Sequence, residues 1–94
     1  MRTLEVDVHN PSGLHARPAA TFVKAAAAFR SQVRIENLTR GSGAANAKSL
    51  LAVLGSGVER GHRIRISVDG EDEEAAVEAL RNLAESGFGE TAKP

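Results

Sequence analysis

Leu4, Val6 and Val8 alternate with Glu5 and Asp7, a period of two that predicts a strand with one face in a core and the other in water. His9-Asn10-Pro11-Ser12-Gly13 then gathers turn formers and ends it. From Ala16 to Phe29 the chain turns to alanine, and Ala19, Phe22, Val23, Ala26 and Phe29 fall on one helical stripe. Pro18 lies in the first turn, where its missing N–H costs nothing and its fixed φ favours the helix. The helix therefore starts close to His15. Val33, Ile35 and Leu38, set against Arg34 and Glu36, predict a second strand; Thr39 to Gly43 is a turn, and Ala44 to Ala47 a short return strand. Leu50, Leu51, Val53 and Leu54 predict a short helix that Gly55-Ser56-Gly57 terminates. Over His62 to Asp69, Ile64, Ile66 and Val68 alternate with Arg63, Arg65 and Ser67, a further strand. Gly70 opens a last helix on Glu71-Asp72-Glu73-Glu74, carboxylates suited to the positive end of the macrodipole. Its stripe is Ala76, Leu80, Leu83 and Ala84, with Val77 flanking; Gly87 and Gly89 end it, and residues 88–94 are expected to form a frayed tail.

The order βαββαβα is that of an α+β fold, a four-stranded antiparallel sheet covered on one face by helices. If the first and last strands pair, Glu5 and Asp7 face Arg63 and Arg65. The 94 residues suit one domain, 1–94, with a single core. Three phenylalanines are the only aromatics, so Ala, Val, Leu and Ile must do most of the packing. Twelve basic residues balance twelve acidic ones, which with so few aromatics argues against a nucleic-acid binder. The absence of cysteine removes disulfides and thiolate metal sites and agrees with a cytoplasmic protein. The longest apolar run, Ala25 to Phe29, is too short to span a bilayer. His9 and His62 stand alone in the sequence and read as surface residues, and no metal or cofactor is expected. The run Glu71 to Glu74 reads as a solvated helix N-terminus.

The chemistry concentrates at Gly13-Leu14-His15-Ala16-Arg17-Pro18-Ala19-Ala20. A histidine just ahead of a helix meets backbone N–H groups without intrahelical partners, and these with the aligned dipoles make an anion site. Positive potential there disfavours imidazolium, which leaves a neutral ring with a lone pair for nucleophilic attack. Arg17 adds a planar fork suited to phosphoryl oxygens, and Lys24 lies two helical turns on along roughly the same face. Gly13 permits a tight turn, and Leu14 supplies an apolar anchor beneath the ring. Two readings of His15 stay open on the residues alone: a helix cap, and an imidazole that accepts a phosphoryl group.

The segment GLHARPAA, Gly13 to Ala20, resembles the active-site signature of HPr, the histidine-containing phosphocarrier of the phosphoenolpyruvate-dependent sugar phosphotransferase system. The resemblance continues through Lys48-Ser49-Leu50-Leu51 and through Ile66-Ser67-Val68-Asp69-Gly70-Glu71-Asp72-Glu73, in the family's order and over nearly the whole chain. It implies an open-faced β-sandwich with three helices over the four-stranded sheet. It implies further that His15 is the phosphorylated histidine, modified on Nδ1, that Arg17 contacts the phosphate and the partner, and that Ser12, Ala16 and Arg17 line the phosphate cradle. The partners would be enzyme I as donor and the A domains of sugar-specific enzyme II as acceptors, with the chain a monomeric carrier that turns over no substrate itself. A phosphocarrier domain of a larger multidomain phosphotransferase, or a regulatory adapter of the same fold, is the alternative. Adapters of that kind lack the active histidine, whereas His15 is present.

Ser49 matches the position that a dedicated HPr kinase phosphorylates in some bacteria; its other reading is a cap for the second helix, a role open to Asn46 as well. Leu50, Leu51 and Leu54, flanked by Lys24 and Lys48, are candidates for a partner interface, with a mixed arrangement expected in which some of the three leucines are core. The stretch Thr39 to Ala45 is about three residues longer than the family's usual hairpin. Leu51 and Leu54 stand where many members carry methionine, which makes a less pliable surface.

Overall fold

The computed structural model describes residues 1–90. Seven elements follow in the order β1 (Arg2–Asp7), α1 (Ala16–Ala27), β2 (Gln32–Asn37), β3 (Ala44–Asn46), α2 (Leu50–Gly55), β4 (Arg63–Asp69) and α3 (Glu73–Glu85). The strands form one antiparallel sheet in the spatial order β1-β4-β2-β3. The helices lie on one face: α3 packs on β1 and β4, and α1 against α2 and α3. The expected α+β architecture is the observed one.

The period-two pattern decides which side of the sheet is wet. In register, Leu4 and Ile35 flank Ile66, while Val33 sits beside Val68 and Asn37 beside Ile64. The apolar members of this set are all buried and meet Phe22, Ala26, Ala76 and Leu80 from the helices. On the outer face the same register brings Glu5 opposite Arg65 and Asp7 opposite Arg63, as the alternation predicts. Arg63 reaches Asp7 at 2.8 Å, and Arg65 bridges Glu5 at 3.1 Å and Glu36 at 3.3 Å. These pairs are solvent-exposed, so each contributes little; they fix register more than stability.

Several boundaries differ from the sequence reading. The first helix stops at Ala27, two residues before Phe29, because Ala28 and Phe29 donate to Ala25 and Ala26 three residues back, a tightened last turn. Leu38 lies outside β2, since the Asn37 carbonyl turns to accept from Gly41 and Ser42. The expected frayed tail is corrected over residues 88–90. Phe88 is 1% exposed and meets Phe22 edge-on at 5.7 Å between ring centroids. An aromatic that stays exposed forgoes a large apolar burial, and the turn at Gly87 (φ +82°) folds it back onto the core. Residues 91–94 lie outside the described residues.

Asp72 also departs from the solvated run expected of it. Its carboxylate accepts from the N–H groups of Arg30 and Ser31 and from the Ser31 hydroxyl, joining the start of α3 to the segment between α1 and β2. The Ser31 hydroxyl, then the backbone donors, hold this carboxyl down to about 2.

Candidate functional site

Ser12, His15, Ala16 and Arg17 lie around the start of α1, whereas Lys24 sits in its last turn and Lys48, Ser49 and the three leucines lie at or in α2. Asn10 builds the approach: its Nδ2 donates to the Gly13 carbonyl at 2.8 Å, and its own carbonyl accepts from the Gly13 N–H at 3.2 Å. Gly13 takes φ +61°, and a Cβ there would run into the Val58 carbonyl and the Glu59 backbone. Leu14 follows, fully buried, with its N–H donating to that same Val58 carbonyl at 3.0 Å. His15 thus leaves a clamped loop, and its ring emerges with the side chain 40% exposed.

His15 is the N-cap residue of α1, with extended backbone, yet its side chain makes no capping bond. The simple capping role left open by the sequence is therefore excluded. No described side chain takes the N–H groups of Ala16 and Arg17, so the mouth of the helix keeps donors and partial positive charge for an anion. Ala16 adopts φ +53°, a conformation that costs an L-residue roughly 1–2 kcal/mol and is characteristic of functional segments. Arg17 is exposed, has no hydrogen-bond or ion-pair partner among the described residues, and lines a cleft of about 250 Å³ with Pro18, Phe88, Gly89 and Glu90.

Two carboxylates that the sequence did not bring to notice stand at this site. Glu59 Oε2 lies 3.4 Å from His15 Nε2. That nitrogen is buried and has no hydrogen bond, whereas Nδ1 is not among the buried, unpartnered atoms. On the other side Glu90 clasps Ser12: Oε1 accepts from the Ser12 N–H at 2.9 Å and from Asn10 Nδ2 at 3.0 Å, and Oε2 from the Ser12 hydroxyl at 2.6 Å. The Ser12 hydroxyl, then Asn10 Nδ2 and the Ser12 N–H, hold the Glu90 carboxyl below the usual range. Ser12, expected in a phosphate cradle, is thus seen binding an oxyanion supplied by the chain itself. Neither glutamate belongs to a sequence pattern; a lone Glu after a glycine turn, or in a tail, carries no spacing signal.

The second helix is placed differently from expectation. Leu50, Leu51 and Leu54 are 44%, 82% and 37% exposed, so none is core and the mixed arrangement is not found. A six-residue helix has room for one inward apolar side chain, and Val53 takes that position. The C-terminal end of α2, which carries Leu54, runs through Gly57 into Val58 and so meets the His15 loop. Ser49 caps the opposite end of α2, its Oγ accepting from the Ala52 N–H at 3.2 Å. Asn46 instead accepts from the Lys48 N–H. Lys24 is exposed on α1. Lys48 is committed elsewhere: its ammonium donates to the Phe29 carbonyl at 2.7 Å, just past the far end of α1, and a twelve-residue helix separates that end from His15 by roughly 18 Å.

His62, read as an isolated surface residue, is half-buried and structural. Its Nδ1 accepts from Asn37 Nδ2 and from the Glu59 N–H, both at 3.1 Å. Among the described residues no group of histidines and carboxylates has the makings of a metal site, and no helix is long and apolar enough to cross a membrane.

Comparison with known proteins agrees with this geometry. The family model described as "PTS HPr component phosphorylation site" matches residues 3–86. The phosphocarrier protein HPr of Haemophilus influenzae is 44% identical over 80 residues, covering 85% of this chain and 91% of that protein. The multiphosphoryl transfer protein of the same organism is 42% identical over 83 residues, 88% of this chain but only 17% of that relative's length. The chain therefore spans less than a quarter of the multiphosphoryl transfer proteins it matches. Among solved structures, HPr-C-His from Thermoanaerobacter tengcongensis superposes with a TM-score of 0.89 at 42% identity, covering 97% of this chain and 99% of that one.

Proposed function

The chain belongs to the HPr family of the phosphotransferase system, and from that premise we propose that it carries a phosphoryl group on Nδ1 of His15, taken from enzyme I and passed to the A domain of a sugar-specific enzyme II. The observation that carries the reading is a part-exposed imidazole at the mouth of α1 with Nε2 buried, over backbone donors that no described side chain caps. In the acceptance step the Nδ1 lone pair forms the N–P bond while the bond from phosphorus to the donor protein breaks, its electron pair leaving with the donor. Arg17 and the first N–H groups of α1 hold the three phosphoryl oxygens as charge spreads over them. Delivery is the same step reversed towards an acceptor. The protein is a covalent intermediate carrier and turns over no substrate alone, acting in the cytoplasm as a monomer and needing no cofactor. The reading is the same whether the chain acts alone or as one domain of a longer phosphotransferase, since His15 does the work in both.

The exposed leucines along α2 are the apolar centre of the surface on which both partners dock. Ser49, the N-cap beside Leu50, is a regulatory acceptor for a kinase: a phosphate there adds about −1.5 to −2 charges and weakens docking.

Incubation with phosphoenolpyruvate, magnesium and enzyme I tests the main reading. An acid-labile, base-stable phosphate is expected on the wild type and none on a folded His15→Ala variant. Label retained by His15→Ala overturns it.

A further inference from the structure

The segment between α2 and β4 holds Glu59 beside the reactive ring by contacts on both sides. Towards the sheet, the Glu59 N–H donates to His62 Nδ1, and buried Asn37 donates to the same nitrogen and to the Ser56 carbonyl at 3.1 Å. Towards α1, Val58 accepts from Leu14, and Gly13 fits under Val58 and Glu59 with no space for a Cβ. Both clamps close on the residues flanking Glu59, so its backbone is fixed while its carboxylate lies 3.4 Å from His15 Nε2. Arg17, two residues on in α1, lines a cleft that Glu90 shares.

Resting on the carrier reading above, we propose that Glu59 is a positioning residue that holds His15 in the tautomer with its proton on Nε2, so that the Nδ1 lone pair faces the incoming phosphoryl group. A carboxylate accepts from an N–H but repels a bare nitrogen lone pair, so the opposite tautomer is disfavoured in this geometry. The role continues through transfer. When Nδ1 bonds to phosphorus and the donor's bond breaks, the ring keeps its Nε2 proton and gains a delocalised positive charge. The Glu59 carboxylate faces that charge. When the phosphoryl group departs, the N–P electron pair returns to Nδ1 and the neutral Nε2–H ring is restored, ready for another cycle.

Glu59 is 64% exposed, so screening keeps its effect to about two- to fivefold in rate. The full chain, labelled with ¹⁵N in histidine, provides the test, alongside the initial rate of phosphorylation by enzyme I. Wild type is expected to show His15 protonated on Nε2 and bare on Nδ1. Glu59→Ala is expected to move the two nitrogen shifts towards each other and slow phosphorylation about two- to fivefold. Glu59→Gln, whose amide oxygen presents a partial negative charge to Nε2–H, should keep the tautomer and recover part of the rate. Thermal melting confirms that each variant folds. A Glu59→Ala protein with wild-type shifts and rate overturns the role of Glu59 and leaves the carrier reading intact, as does a slower rate with the tautomer unmoved. A wild type that accepts no phosphoryl group overturns both.

Discussion

Replacing Gly13 by alanine is expected to unfold the approach to His15 at a cost that the structure lets one work out. At φ +61° an alanine pays roughly 1–2 kcal/mol in backbone strain. Its methyl would also meet the Val58 carbonyl and the Glu59 Cα, which are backbone atoms with no rotamer to swing aside. Relief requires the 57–59 segment to withdraw, and that breaks the Leu14–Val58 hydrogen bond beneath a fully buried leucine, a loss of about 1–3 kcal/mol. Together the change removes about 2–5 kcal/mol, which for a domain of this size lowers the melting temperature by about 8–40 °C. Gly41→Ala is the matched control, because Gly41 has φ +65° but open space where the methyl would go. It carries the strain without the collision and should lose only about 4–16 °C. Thermal denaturation of both, followed by circular dichroism, makes the comparison. Equal losses in the two variants would refute the reasoning that the clamp between Gly13 and Val58 is sterically full.

Phe88→Ala should cost about 3–5 kcal/mol, measured by urea denaturation; a loss below about 1 kcal/mol would return Phe88 to the frayed tail that its sequence position suggests. Asp72, held at about 2 against an ordinary 3.8, stabilises the fold when ionised. That contribution is complete above the unfolded value and lost as pH falls from about 4 towards 2, so Asp72→Asn should flatten this limb of an acid titration relative to wild type. Arg17→Ala should slow phosphorylation by enzyme I while shifting the melting temperature by less than about 2 °C, since Arg17 supports no described contact; a large loss of stability would make it a structural residue. Ser49→Asp should keep the cap of α2, because aspartate caps as well as serine, yet reduce the rate of acceptance from enzyme I. Equal rates in Ser49→Asp and wild type would remove Ser49 from any regulatory role.

The elements were legible where burial has a short period. Ile64, Ile66 and Val68 declare their strand, and Glu5 and Asp7 find Arg65 and Arg63 because a period of two fixes both face and register. His15 and Arg17 were legible because a helix start is written locally, in Gly13 and Pro18. Glu59, His62 and Glu90 were not. They reach the site through folding of distant segments, and a single polar residue has no periodicity to betray such a contact. The leucines of α2 misled for another reason: a one-sided stripe assumes a helix of several turns, and α2 is too short to bury more than Val53. Phe88 was misplaced because a position near the end of a chain and two glycines suggest fraying, whereas here the glycine at 87 directs the ring inward.

The uncovered side of the sheet bears on how this molecule meets others. Its outward positions carry Glu5, Asp7, Arg34, Glu36, Arg63 and Arg65, so a second sheet laid upon it would have to strip water from six ions at once. That flank is closed to apolar association, so on the carrier reading proposed above the donor and the recipient share the face where the imidazole emerges. Under that reading the two visit in turn, never together. The cargo would then cross by successive bimolecular encounters whose frequency, not a standing ternary assembly, sets the pace.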